Sequence, residues 1–195
     1  MKRRAGAILM AAALLLGAGG GQAAEKAPQK LRRAHGFALP DWQGKTFRLS
    51  DYRGQVVLLQ FFRTGCALCQ EEAPLLEQLY RDYRNKGVVV IGISHEAKAA
   101  EALAQYGERY GITHPLLLGD LEVAVRYLGL SPARPSFHTP HFFLIDREGY
   151  IVREFAPERD EEFFRQAERA LPQALKEVLA GSPSSGPGRT ASPKP

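Results

Sequence analysis

The two cysteines of this chain, Cys66 and Cys69, stand as C-x-x-C where one kind of pattern gives way to another. Gln55 to Phe62, just ahead of them, is an apolar run rich in Val, Leu and Phe and reads as a buried strand. Behind them Leu76, Leu79, Tyr80 and Tyr83 recur at i, i+3, i+4 and i+7, one face of a helix. Cys66 therefore falls at a strand-to-helix turn, where free backbone N–H groups and the helix dipole favour a thiolate. Cys69 follows one turn later on the same face. A bridge across so few residues closes a tiny loop worth only about 2 kcal/mol before strain. A zinc site wants about four ligands, and there is no second cysteine pair. A redox-active dithiol is the reading that uses both cysteines as they stand.

The N-terminus bears on the compartment. Lys2-Arg3-Arg4, an apolar run from Ala5 to about Ala18, and the small residues up to Ala23-Ala24 have the layout of a signal peptide. Residues 1–24 are expected to be removed; an uncleaved anchor is the alternative, although the run is short against the about 20 apolar residues of a span. The segment carries no cysteine, so no lipid-modified N-terminal Cys is expected. Export would place the dithiol in an oxidising compartment, the periplasm or cell envelope. Of 26 Lys+Arg and 21 Asp+Glu, three basic residues and no acids lie in 1–24, so the net charge of the remainder is 23 − 21 = +2. Mixed charge of that size asks for neither nucleic acid nor an anionic membrane. About 150 residues are left, enough for one core.

Read in order, residues 25–35 form a polar, flexible leader. Phe37 to Leu39 and Thr46 to Leu49 form a hairpin turning around Gln43-Gly44, with Trp42 as a packing residue. After the C-x-x-C helix, expected to kink at Pro74, Val88 to Ser94 reads as a strand covered on both faces. Ala99, Leu103, Tyr106 and Tyr110 stripe a second helix, and Ile112 to Leu118 contains a short strand. Leu121 to Tyr127 is a short helix and Gly129 to Thr139 a loop. Phe142 to Ile145 and Ile151 to Phe155 form a second hairpin. Phe163 to Val178 is a helix that Pro172 kinks or splits, and 181–195 is a disordered tail. Alternating strands and helices make this an α/β domain over residues 36–180, with a central sheet covered on both faces.

In this frame the sequence resembles the thioredoxin superfamily, and within it the TlpA/ResA-like periplasmic thiol–disulfide oxidoreductases. The resemblance runs from about Phe37 to Ala180. It is carried by Leu49-Ser50-Asp51-Tyr52-Arg53-Gly54-Gln55-Val56-Val57-Leu58-Leu59, by the C-x-x-C with Glu71-Glu72-x-Pro74, and by Pro140-His141-Phe142-Phe143-Leu144-Ile145-Asp146 with Glu148-Gly149. It implies a thioredoxin-like fold, a mixed sheet flanked by helices with an added N-terminal β-hairpin. It further implies Cys66 as attacking thiol, Cys69 as resolving thiol, and Pro140 as a cis-proline facing them. No cofactor is expected. The chain departs from the family at Gly65, where Trp is usual, at Leu68, where Pro is usual, and at His141, where Thr is frequent.

The exchange chemistry needs a proton acceptor for Cys69. Glu72 lies three residues on, in register with the apolar stripe, so it is expected to be partly buried and to hold its proton unusually well; Glu71 points to the surface. Thr139, Pro140 and His141 are the candidate substrate-binding residues, presenting backbone to an added strand, and His138 and His141 flank the proline. The expected partners are a protein disulfide and a thiol electron donor. The mature form is expected to be a monomer without a membrane span. Ala67 and Leu68 between the cysteines offer no charge or side-chain donor, which favours a reductase. A copper or zinc carrier using Cys66, Cys69 and a histidine is the alternative, although no metal is assigned. A peroxidase of the peroxiredoxin type wants Thr or Ser three residues before its cysteine and Pro before that, where this chain has Arg63 and Leu59.

Overall fold

The computed structural model describes residues 32–96 and 99–181. Both the expected signal segment and nearly all of the expected tail lie outside them. The centre of the molecule is a pair of parallel strands, β4 (Val56–Phe62) and β5 (Val88–Ser94), in register from Val56 opposite Val88 to Phe62 opposite Ser94. Every residue of both strands is buried, which is why they read as continuous apolar runs rather than alternating ones. Around them the six-stranded sheet has the order β1-β8-β7-β4-β5-β6. Here β1 is Arg32–Arg33, β6 Leu116–Leu118, β7 His141–Ile145 and β8 Tyr150–Phe155. β6 continues the parallel half, whereas β7, β8 and β1 are antiparallel to their neighbours. Strands β2 (Ala38–Pro40) and β3 (Thr46–Arg48) form the separate hairpin expected at the N-terminal end.

Alternation along β4 sorts the core into two layers. Val56 and Leu58 face helices α1 (Ala67–Tyr83) and α5 (Ala167–Gly181), meeting Leu76, Leu79, Leu171, Leu175 and Val178. Val57, Leu59 and Phe61 face the other way, onto α3 (Leu121–Leu128) and the hairpin, where Val123, Tyr127, Phe37 and Leu39 close the layer. A third cluster joins Phe62, Cys69 and Ala73 to Leu103 and Tyr106 of α2 (Ala99–Tyr110). Gly87, at φ 80°, takes the left-handed turn that ends the α1 region and lets β5 start beside β4. Among the described residues no helix is long and apolar enough to cross a membrane.

Three expectations are corrected. The end of the presumed leader is fixed: β1 pairs with β8, Arg32 donates to the Tyr127 carbonyl at 2.7 Å, and Tyr127 donates to the His35 carbonyl at 2.6 Å. Polar composition hid this, because the edge strand is held by its backbone and by cation–π contacts of Arg32 and Arg33 on Tyr127 and Tyr150. Trp42 is not a core residue; it is 44% exposed at the hairpin turn. Pro74 lies inside α1, on its exposed side. The C-terminal helix does divide, but at Gln166, between α4 (Glu161–Arg165) and α5, not at Pro172, which lies inside α5.

Candidate active site

Cys66 is the N-cap of α1, with extended backbone (φ −80°, ψ 118°), and its sulfur accepts the Cys69 N–H at 3.3 Å. One of the free donors of the first turn is thus aimed at the sulfur, as the strand-to-helix position demands. The thiol of Cys66 faces the Thr139 carbonyl at 3.5 Å. The Thr139–Pro140 bond is cis. Neither cysteine is bridged. They differ in access: Cys66 is partly exposed, whereas Cys69 is fully buried against Phe62, Ala73, Leu103 and Tyr106. Burial pushes the Cys69 thiol well up, and the neighbouring Cys66 adds to this.

Glu72 lies one turn beyond Cys69 on the inner face of α1 and is only 4% exposed. Neither carboxylate oxygen has a hydrogen-bond partner among the described residues. Burial first, and repulsion from the exposed Glu71 second, push its carboxyl up to about 8. Glu72 and Leu68 line a groove between α1 and the α4–α5 region, with Leu75, Phe164 and Pro172. Tyr106 donates to the Cys69 carbonyl at 2.8 Å, and the thiol of Cys69 and the carboxylate of Glu72 are both close enough to disfavour its ionisation further than burial does.

The loop that delivers Cys66 is tied on its far side. Thr64 gives its N–H (2.8 Å) and hydroxyl (2.6 Å) to the Glu96 carboxylate, and Gln70 donates to the Thr64 carbonyl at 2.7 Å. Sequence reasoning missed Thr64, Gln70 and Glu96, and missed Tyr106 as anything but a packing residue. The tie between Thr64 and Glu96 spans 32 positions, so no local pattern announces it. Gly65 is exposed, and nothing lies within 4 Å of where its Cβ would be.

Of the expected substrate-side residues, Thr139 is partly exposed beside Cys66 and Pro140 is buried at the head of β7. His141 is 1% exposed, stacked on Phe143 and bonded through Nε2 to Glu154 at 3.1 Å, so its side chain points into the fold rather than over the cysteines. His138 is exposed in the loop, 3.5 Å from Glu158. Among the described residues no group of three or more His, Cys, Asp and Glu is placed to hold a metal ion.

The chain is 31% identical over 117 residues to the thiol-disulfide oxidoreductase ResA of Geobacillus thermodenitrificans, covering 60% of this chain and 63% of that one. It is 29% identical over 131 residues to the ResA of Bacillus anthracis, covering 67% and 72%. The chain thus spans less than two thirds of the length of the first of these relatives. Among solved structures it resembles a thiol:disulfide interchange protein from Bacteroides sp., with a TM-score of 0.55 at 26% identity over 71% of this chain and 87% of the other. A thioredoxin family protein from Chlorobium tepidum, at 21% identity and a TM-score of 0.64 over 76% and 96%, shares the fold. The expected thioredoxin-like architecture with its N-terminal hairpin is therefore the one found. A sequence profile of the AhpC/TSA family matches residues 31–154, more than half of the chain, and the chain belongs to that family.

Proposed function

We propose that this chain is an exported thiol–disulfide oxidoreductase that reduces disulfides of envelope proteins. One observation carries the reading: a partly exposed Cys66 at a helix N-terminus stands in front of a fully buried Cys69, with an equally buried carboxyl one turn behind. The names of the ResA relatives support the same chemistry. The exported setting rests on the N-terminal pattern, with cleavage near Ala24.

In the proposed cycle the Cys66 thiolate attacks one sulfur of a partner disulfide. The partner's second sulfur leaves as a thiolate and takes a proton. The Cys69 thiol gives its proton to the ionised fraction of Glu72, and the Cys69 sulfur attacks Cys66, releasing the partner's first thiol. The chain is left with a Cys66–Cys69 disulfide, which two electrons from a donor dithiol restore. A carboxyl near 8 suits that task, because an acceptor works best with a pKa close to the working pH. Thr139, Pro140 and the backbone of His141 form the edge along which a substrate segment would lie.

Trapping tests the division of labour. Cys69→Ala should accumulate mixed disulfides with envelope proteins, and Cys66→Ala should not; alkylation and mass spectrometry read the difference. Equal trapping by both variants, or none by either alongside no insulin reduction by the native chain, would overturn the assignment.

A further inference from the structure

We propose that His141 is a positioning residue for exchange at Cys66: its bond to Glu154 fixes the first rung of β7 and so holds the Thr139 carbonyl against the Cys66 sulfur. The proposal rests on the exchange reading given above.

His141 sits where an apolar ring would be expected. It is stacked on Phe143 at 4.9 Å and stands opposite Phe61 in the ladder. Phenylalanine would fill that space without burying polar atoms, and a buried imidazole is costly unless bonded. Only one of its nitrogens is bonded. Nε2 meets the Glu154 carboxylate at 3.1 Å, while Nδ1 is buried with no hydrogen-bond partner among the described residues. What histidine adds at this place is that single bond. Glu154 is well set to receive it. It stands on β8 opposite Phe143 and also accepts from Arg159 at 3.0 Å. The bond from His141, ahead of Arg159 and against the effect of burial, holds its carboxyl below the usual range, so the carboxylate accepts and Nε2–H donates.

The position of the rung decides what the bond does. Phe61–His141 is the last pair of the β4–β7 ladder. Beyond it, β4 runs into the turn that carries Cys66, and β7 is preceded by Pro140 and Thr139. Pro140 has no amide hydrogen to give, so on this side the Thr139 carbonyl is steadied from His141. Both ends of the contact between Cys66 and Thr139 therefore hang from one rung, and the His141–Glu154 bond ties that rung to β8. The thiol of Cys66 donates to the Thr139 carbonyl; in a Cys66–Cys69 disulfide that donor is gone. Holding the carbonyl in place therefore favours the dithiol.

The test is the dithiol–disulfide equilibrium of the full chain in glutathione buffers. His141→Phe keeps the stacked ring and removes the donor. It should shift the equilibrium toward the disulfide by about fivefold, the equivalent of about 1 kcal/mol for one lost hydrogen bond. His141→Gln, whose amide can donate to Glu154, should recover most of the shift. Glu154→Ala leaves His141 in place, removes the acceptor, and should shift the constant in the same direction, which keeps the test open if His141→Phe does not fold. An unchanged constant in His141→Phe and Glu154→Ala would overturn the brace, as would a loss of thermal stability in both with the constant unmoved. If the native chain itself does not interconvert between dithiol and disulfide, the exchange reading fails and the brace falls with it; native cycling with unmoved variants sinks the brace alone.

Discussion

Glu72 is a buried carboxyl with no hydrogen-bond partner among the described residues, and burying such a group is costly. Its cost has a definite pH dependence. In the unfolded chain it titrates near 4.5, and in the fold near 8. Between those values the folded state holds a proton that the unfolded state has lost, so stability falls as pH rises through the window. The integrated effect is several kcal/mol, because one pH unit of displacement is about 1.36 kcal/mol. Glu72→Gln should therefore be as stable as the native chain near pH 4.5 and more stable than it at pH 8, with the gap opening steadily in thermal unfolding. Measuring the difference between the two proteins removes every contribution that they share. A gap that stays flat from pH 5 to 8 would mean that the carboxyl is solvated. The same substitution should slow turnover if Glu72 takes the Cys69 proton, so a variant that is more stable and less active is the expected signature of a functional site.

At the scale of elements, what could be read from the sequence was what periodicity and punctuation encode. The buried pair β4 and β5, the α1 stripe, both hairpins and the C-x-x-C turn were legible because each is written within a few residues. What was hidden depends on long-range pairing. Glu77 is the clearest case. On sequence it is a polar residue beside the stripe, yet it is 4% exposed. It accepts from the Thr113 N–H (2.8 Å) and hydroxyl (2.6 Å), from Arg81 (2.6 Å) and from His114 Nδ1 (3.1 Å). Burial alone would raise its carboxyl; the bonds from His114, Thr113 and Arg81 outweigh it and hold the group well below the usual range. Burial in turn keeps His114 neutral, with Nδ1–H as donor. This node fastens α1 to the turn between α2 and β6, far along α1 from the cysteines. Glu77→Ala leaves the Thr113 and His114 donors without their acceptor, and should cost about 2 kcal/mol in urea denaturation, in the range for stranding a buried hydrogen-bond donor. Exchange activity below the unfolding transition should remain. The site was legible to the same extent: Cys66, Cys69 and Glu72 share a local spacing, whereas the ties from Glu96 to Thr64 and from Glu154 to His141 cross between elements.

For the molecule as a whole, two properties are open to test, the first of them export. If the N-terminal segment directs export, sequencing of the envelope form should start close to Glu25, and an intact Met1 would indicate an anchor. The second property is the direction of electron flow. A strong oxidant of this chemical type gains its potential, near about −120 mV, by stabilising the reduced form. Here the means for that are few. Ala67 and Leu68 bring no charge or donor, Cys66 accepts one backbone N–H and gives its thiol hydrogen to the Thr139 carbonyl, and the helix terminus is worth at most about 2 kcal/mol. Cys69 is fully buried and its thiol is pushed up rather than down, so no second thiolate is stabilised there. Folding and oxidation form a closed cycle, so a reducing potential, about −200 mV or below, makes the oxidised fold the more stable one wherever it lies below the potential of the same cysteine pair in the unfolded chain. The oxidised protein should therefore unfold at a higher urea concentration than the reduced protein at pH 7. Glutathione equilibration of the native and of the urea-unfolded chain should return the same free-energy difference by the other two sides of the cycle. A reduced form that outlasts the oxidised one would place the chain among the oxidants, and the proposed reductase would have to be read in reverse, as a donor of disulfides to the same partners.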